Sequence, residues 1–238
     1  MSANDWVSKA EMDMEGVRKH TEQERDRLKH DYPTWPKDDA RRWALARFPT
    51  SLFVPVLGLC LLRTTLNNVS WWEQYAPGSG GAIFDRGREA FDQHLKGKLI
   101  LDLVANVEHP FRIILRQLDP LNSASNFQSV YRSLLRQSRP YMTTVPSGWE
   151  DTLELLRLMR NTVHNSWIHY PETGVAATVV FKGKTYNFIV GKKLDFVSWD
   201  LMVELSRDVV RIVVEVMRDP RVLGLPPIPD PGAGDPLD

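Results

Sequence analysis

The residues with the clearest chemical potential in this chain are Arg160, Asn161 and His164, near the end of a strongly helical segment, residues 149–167. An Arg and a His four residues apart lie on one face of an α-helix. The pair sets a fixed positive charge beside an imidazole, which exchanges protons near neutral pH. Phosphodiester chemistry can use this combination, because a guanidinium holds the phosphate while an imidazole moves a proton.

The segment that carries these residues separates into two faces when it is projected at about 100° per residue. The apolar face carries Leu155, Leu156, Met159, Val163 and Trp167, and the polar face carries Glu150, Glu154, Arg157, Asn161 and His164. Arg160 lies at the border, where its stem can pack while its guanidinium faces a cleft. An ordinary solvated helix has the same polar face, and a His near a helix C-terminus is favoured by the helix dipole. The helix alone therefore leaves both interpretations open.

Hydrophobic periodicity predicts helices over most of the remaining chain. Asn4 can cap a charged helix with a thin apolar stripe, which Pro33 and Pro36 end. Further helical patterns cover residues 37–48, 51–75, 85–118, 126–137 and 198–218. The third of these is expected to be kinked or split before Pro110. The glycine-rich residues 76–81 lack the Lys-Ser/Thr ending of a phosphate-binding loop and are interpreted as a linker.

The pattern changes after the motif helix, where β-branched and aromatic residues alternate on both sides of Lys182-Gly183-Lys184. This predicts a β-hairpin at about residues 177–190. The fold class is therefore mainly α, a helical bundle with a small β-hairpin inserted before the last helix. We predict a charged N-terminal helical arm (1–48), a helical domain (49–218) and a Pro/Gly-rich tail (219–238) that is extended or disordered.

Composition limits the classes of function. The 30 basic and 30 acidic residues give a formal net charge of +0, so any contact with nucleic acid must be local. The single cysteine, Cys60, excludes an intrachain disulfide framework and a Cys-rich zinc site. The longest apolar run, residues 52–62, is too short to span a bilayer and predicts a buried helix. With no signal peptide in the sequence, the expected location is the cytoplasm and no membrane association is expected.

The run Arg160-Asn161-Thr162-Val163-His164-Asn165 at the end of a helix resembles the motif of the HEPN superfamily, which includes many prokaryotic toxin and antiviral ribonucleases. The resemblance extends over roughly residues 85–218, and its specific part is residues 160–165. The hairpin followed by one more helix is similar to an arrangement in bacterial HEPN-like proteins. The chain departs from the family in its spacing, because only Thr162 and Val163 separate Asn161 from His164. The pair Arg157 and His164 has the longer spacing, but Leu158 then stands at the position of the polar residue.

This resemblance implies a metal-independent endoribonuclease without a cofactor, of the kind that acts as a toxin or as a component of antiviral defence. His164 would be the general acid or base, Arg160 would hold the phosphate, and Asn161 would orient the phosphate or His164. Arg157 and Asn165 are the implied substrate-binding residues. Members of the family often dimerise across one composite cleft, so the implied partners are RNA, a second copy of the chain, and an antitoxin or defence-system protein. The sequence shows no cluster of Asp, Glu and His metal ligands, so no metal is expected.

The alternative is a catalytically silent HEPN-like helical scaffold that mediates protein–protein interaction. Glu108 and His109 could form a second acid–base pair near the Arg160 cleft, although a helix end with a capping role is the favoured interpretation. His169 could line the site, although a structural turn is favoured. Trp71, Trp72 and Trp199 could stack on bases, although tryptophans beside apolar neighbours are more often core residues. Lysines near the hairpin could contact an RNA backbone or be ordinary solvated residues: Lys182, Lys184, Lys192 and Lys193.

Overall fold

The computed structural model describes residues 3–78, 80–136 and 141–233. The helices are α1 (Ala3–Asp31), α2 (Ala40–Trp43), α3 (Arg47–Leu61), α4 (Val69–Tyr75), α5 (Gly80–Leu118), α6 (Phe127–Leu135), α7 (Trp149–His164), α8 (Trp199–Met217) and α9 (Pro220–Leu223). A π-helical turn, Leu62–Leu66, follows α3. Strands β1 (Ala177–Phe181) and β2 (Lys184–Phe188) form an antiparallel hairpin between α7 and α8. The predicted fold class, mainly helical with a small hairpin before the last long helix, is confirmed.

The charged helix α1 packs along one narrow edge against α3 and α8. Its buried positions recur at intervals of three and four residues, as in a heptad pattern. They are Val7, Ala10, Met14, Val17, Thr21, Glu24 and Leu28. Because these side chains belong to the same hydrophobic core as α3, α5 and α8, the predicted N-terminal arm is part of the packed bundle.

Helix α3 is only half covered. Leu52 and Leu59 are fully buried, but a row of apolar side chains on the same helix faces outward: Phe53 (49% exposed), Val54 (39%), Leu57 (48%) and Leu61 (42%). The expectation of a buried helix is therefore wrong for this face, because α1 and α5 cover only the other one. The helical stretch Ala40–Leu66 is long and apolar enough to cross a membrane. Of its most apolar 18-residue segment, 44% is buried inside the fold. The core helix of a soluble protein can have the same length and composition.

Of the two elements that pack beside the motif helix, the hairpin forms as its sequence predicts and α5 differs from its prediction in one respect. Helix α5 runs without a break through Pro110, contrary to the predicted split, because Val107, Phe111 and Ile114 lock that turn into the core. The hairpin turns over Lys182 and Gly183, whose φ angles are 49° and 76°. Two positive φ angles are those of a type I′ turn, which matches the twist of the paired strands.

The C-terminal segment differs from the predicted extended or disordered tail. Residues 220–223 form α9, capped by the Asp219 side chain, and Ile228 is fully buried. Asp39 and Pro229 form an isolated antiparallel bridge, so this segment runs back along the start of α2. The last five residues of the tail, 234–238, lie outside the described residues.

Candidate functional site

The motif lies in the last two turns of α7, which packs against α5, α6 and the hairpin. The helix ends in a Schellman motif: Trp167 N–H donates to Thr162 O (2.7 Å) and Ser166 N–H donates to Val163 O (3.2 Å). Ser166 and Trp167 have φ angles of 56° and 68°, a left-handed conformation that is costly for residues other than glycine. Gly97 of α5 lies against Val163 and Trp167, so the end of α7 sits close to the backbone of α5. The motif is therefore held on a rigid helix end.

Arg157 forms an ion pair with the neighbouring carboxylate of Glu154. Its Nε and Nη2 donate to Glu154 at 2.9 and 2.6 Å, and Tyr131 Oη donates to the same carboxylate at 2.6 Å. Burial alone would raise the pKa of Glu154, but the hydrogen bonds from Arg157 and Tyr131 outweigh it and lower that pKa. Burial and the Glu154 hydrogen bond raise the pKa of Tyr131. Arg157 is thus part of a structural network that ties α7 to α6, which argues against its predicted role in substrate binding.

Arg160 differs from Arg157 in its partners. Its Nη1 donates to the Asn161 side-chain oxygen at 3.2 Å, and no carboxylate of the described residues pairs with it. Both side chains are half-buried. The structure therefore brings Arg160 and Asn161 into contact and leaves the guanidinium charge of Arg160 without a counter-charge in the described part of the chain.

His164 and Asn165 end the helix. His164 is exposed, and its imidazole makes no hydrogen bond or ion pair with any residue that the structure describes. Asn165 is the exposed C-cap residue, and its backbone N–H donates to Thr162 O at 3.0 Å. The last turn thus presents an unpartnered imidazole and two amide side chains, those of Asn161 and Asn165.

A second imidazole, that of His169, follows shortly after the end of α7. His169 is only 2% exposed, packs against Phe188 with ring centroids 5.4 Å apart, and its Nε2 has no hydrogen-bond partner among the described residues. Burial, with a smaller contribution from the charge of Arg157, lowers the pKa of His169. His169 is therefore buried in its neutral form, at the position where the sequence predicts a structural turn.

The other sequence candidates have structural partners. His109 lies inside α5, not at a helix end, and its Nε2 is 2.7 Å from Asp230. Glu108 pairs with Arg112 one turn further on. Trp199 is buried and donates to Asp92, whereas Trp71 and Trp72 are half-buried. Lys182 pairs with Asp208 at 3.3 Å, so part of the lysine rim near the hairpin is neutralised.

A basic cleft of about 680 Å³ was not predicted from the sequence. Its basic lining residues are Arg25, Lys29, Lys37, Arg42 and Arg47, and its other lining residues are Trp43, Ala46, Thr50, Ser51, Asn106 and Gly232. These residues come from four helices and the C-terminal segment, so no sequence window contains them. A local signal is the close spacing of the basic residues at 37, 42 and 47.

Among the residues that the structure describes, no three His, Cys, Asp or Glu side chains converge as metal ligands. Comparison with known proteins found no family model, no curated protein and no solved structure that matches the chain. The resemblance to the HEPN superfamily therefore rests on residues 160–165 and on the order of the elements around them.

Proposed function

We propose that the end of α7 is a metal-independent, HEPN-type site for RNA cleavage, in which Arg160, Asn161 and His164 act on a phosphodiester. One observation carries the proposal: Arg160 lacks a carboxylate partner and the exposed His164 lacks any partner among the described residues. Both groups are therefore available to an incoming phosphate, whereas Arg157 three residues earlier is neutralised by Glu154.

The chemistry follows from these groups. The neutral imidazole of His164 accepts the proton of a ribose 2′-hydroxyl, whose oxygen attacks the adjacent phosphorus. The bond from phosphorus to the 5′-oxygen breaks, and that oxygen takes up a proton from an acid. Arg160 stabilises the negative charge on the non-bridging oxygens, and Asn161 holds the guanidinium in place through its amide oxygen. The products are a 2′,3′-cyclic phosphate and a 5′-hydroxyl.

A single chain supplies one such imidazole, but the reaction needs both a base and an acid. A second copy of the chain, with its α7 end facing the first, would supply the other imidazole. We therefore propose a homodimer as the active form. A toxin or antiviral defence component of this kind would act in the cytoplasm and be held in check by an antitoxin or another defence-system protein.

Cleavage rates of a mixed cellular RNA in EDTA test the proposal. We expect His164→Ala to lower the rate by about 100-fold or more, as for loss of a general acid or base. Arg160→Ala should lower it by about 100-fold, as for loss of one group that stabilises transition-state charge. His94→Ala and Arg116→Ala change exposed residues of α5 and should keep the wild-type rate. Equal rates in all five proteins would contradict the assignment.

The alternative, a silent scaffold that mediates protein interaction, is favoured by a different observation. The exposed apolar row on α3, defined by Phe53, Val54, Leu57 and Leu61, is a surface that protein partners commonly use. A folded wild type that neither cleaves nor binds RNA, and whose self-association is abolished by Leu57→Asp, would favour this alternative over the nuclease.

A further inference from the structure

The basic cleft lies away from the motif. Gly97 of α5 faces the end of α7, and Asn106 of the same helix lines the cleft. Nine residues along an α-helix correspond to a rotation of about 180° and a rise of roughly 13 Å. The cleft and the motif are therefore on opposite sides of α5, and whatever occupies one does not fill the other.

The lining of the cleft has an excess of positive charge. No acidic side chain is among its lining residues. Among the described residues, Arg25 pairs with Asp26 alone, and because that side chain is 62% exposed the contact is largely screened by solvent. In the described part of the chain, neither Lys37 nor Arg42 pairs with a carboxylate. The guanidinium of Arg42 donates to the backbone oxygen of Trp35 at 2.9 Å, which leaves its charge unbalanced within the described residues. Cations that converge in this way repel one another, and an anion bound between them would relieve the repulsion.

The wall beside Arg47 is held in place by buried contacts. The side chain of Asp230 is 2% exposed, accepts from Gly232 N–H at 2.8 Å, and lies 3.6 Å from Arg47 Nη2. A Cβ at position 232 would overlap the Arg47 guanidinium, so the glycine leaves the space that this side chain occupies. The buried Asp230 carboxylate thus partly balances the charge of Arg47.

Neutral hydrogen-bonding groups complete the cleft. Asn106 is 6% exposed, and its Nδ2 donates to Ser51 Oγ at 3.0 Å, which leaves the Ser51 hydroxyl hydrogen free to donate. Thr50 adds a second hydroxyl, and Trp43 adds an indole ring. Small-molecule sites occupy about 300–1,000 Å³, a range that includes this cleft of about 680 Å³.

We propose that this cleft is a binding site for a small oligophosphate anion, a ligand with two or three adjacent phosphate groups. Guanidinium groups bind phosphate oxygens through paired hydrogen bonds, and a lysine adds a compact charge. Arg25, Lys37, Arg42 and Arg47 supply the charges, and the hydroxyls of Thr50 and Ser51 can donate to the remaining oxygens. The phosphates can come from inorganic polyphosphate or from a nucleoside polyphosphate, whose base would lie against Trp43.

Calorimetric titration of the full chain with inorganic triphosphate and with adenosine 5′-triphosphate, without divalent metal, tests this site. The variant Lys37→Gln/Arg42→Gln removes two cleft charges, and the matched control Lys184→Gln/Arg116→Gln removes two exposed charges elsewhere. Because the cleft variant loses two of the four cationic side chains that would bind phosphate oxygens, we expect it to bind triphosphate about tenfold more weakly or worse. The control should bind as the wild type does, and the melting temperatures of both variants should show that they fold.

The relative affinities for the two ligands identify the group that the cleft recognises. Tenfold tighter binding of adenosine 5′-triphosphate than of inorganic triphosphate supports the site and identifies a nucleotide as its ligand. Equal binding of the two supports the site and identifies the phosphate chain as the recognised group. Wild type that binds neither, equal weakening in the cleft variant and the control, or binding of long RNA alone would overturn the proposal.

Discussion

The clearest quantitative prediction concerns the buried pair of Asp39 and Arg41. Both side chains are at most 1% exposed, and Arg41 donates from Nε and Nη2 to the two carboxylate oxygens of Asp39 at 2.8 and 2.7 Å. Its guanidinium also donates to backbone oxygens of the C-terminal segment: Val222, Leu223, Leu225 and Pro226. Burial alone would raise the pKa of Asp39, but hydrogen bonds from Arg41 and from backbone N–H groups lower it overall. The pair therefore fastens α2 and the segment after α9 to each other.

The variant Asp39→Ala leaves the Arg41 guanidinium buried without its counter-charge. Loss of one partner of a buried ion pair costs about 3–5 kcal/mol, a large share of the roughly 5–15 kcal/mol that stabilises a typical domain. The double variant Asp39→Ala/Arg41→Met removes the stranded charge as well. It should therefore lose less stability than the sum of the two single variants.

Urea unfolding of the wild type and of the three variants, followed by far-UV circular dichroism, gives the free energies for this cycle. The matched control is Arg25→Met, since the ion pair of Arg25 with Asp26 is largely solvated and contributes about 0–1 kcal/mol. A loss below about 1 kcal/mol for Asp39→Ala, or additive losses in the cycle, would refute the reasoning.

Three further predictions concern the region around the motif. Ser166→Gly should raise the free energy of unfolding by roughly 0.5–1 kcal/mol, because glycine adopts the left-handed conformation at this helix end without strain; an unchanged urea midpoint would contradict this. The lowered pKa of His169 means that the unfolded chain binds a proton more readily than the folded one, so its contribution to stability is complete above the ordinary pKa of 6.5 and is lost as the pH falls below it. Urea unfolding of His169→Phe should therefore show less loss of stability between about pH 7 and 5 than the wild type, and equal slopes would count against a buried neutral imidazole. Glu154→Gln should destabilise the fold by about 1–3 kcal/mol, since it removes the charged acceptor of Arg157 and Tyr131; a wild-type melting temperature would show that this network is dispensable.

Local patterns were sufficient for the elements that bury a continuous face. The α7 and α8 helices repeat apolar residues at helical spacing, and the hairpin carries alternating side chains around a turn that contains Gly183. Each of these patterns lies within one short, continuous segment of the sequence. For the same reason, the position of Arg160 and His164 at the end of α7 could be predicted before the structure.

Contacts between distant segments could not be read from such short stretches. The Pro-rich C-terminal segment folds back onto residues far earlier in the chain: Arg41, about 180 residues before it, donates to its backbone oxygens, and Asp39 bridges to Pro229. The exposed row on α3 has the composition of a core helix, and only the packing of α1 and α5 decides which face is covered. The hydrogen bond from Tyr131 of α6 to Glu154, the carboxylate that pairs with Arg157, joins separate elements and has no local signal. The left-handed conformation of Ser166 has none either, because the usual glycine is absent from that position.

If Arg160 and His164 form the proposed metal-free site for RNA cleavage, the chemical ends of the products will reveal it. RNA incubated with the wild type in EDTA should yield fragments with 2′,3′-cyclic phosphate and 5′-hydroxyl ends, identified by mass spectrometry. His94→Ala should give the same fragments, whereas Arg160→Ala and His164→Ala should give none. Fragments with 3′-hydroxyl and 5′-phosphate ends, or cyclic-phosphate ends produced equally by His164→Ala, would contradict the account.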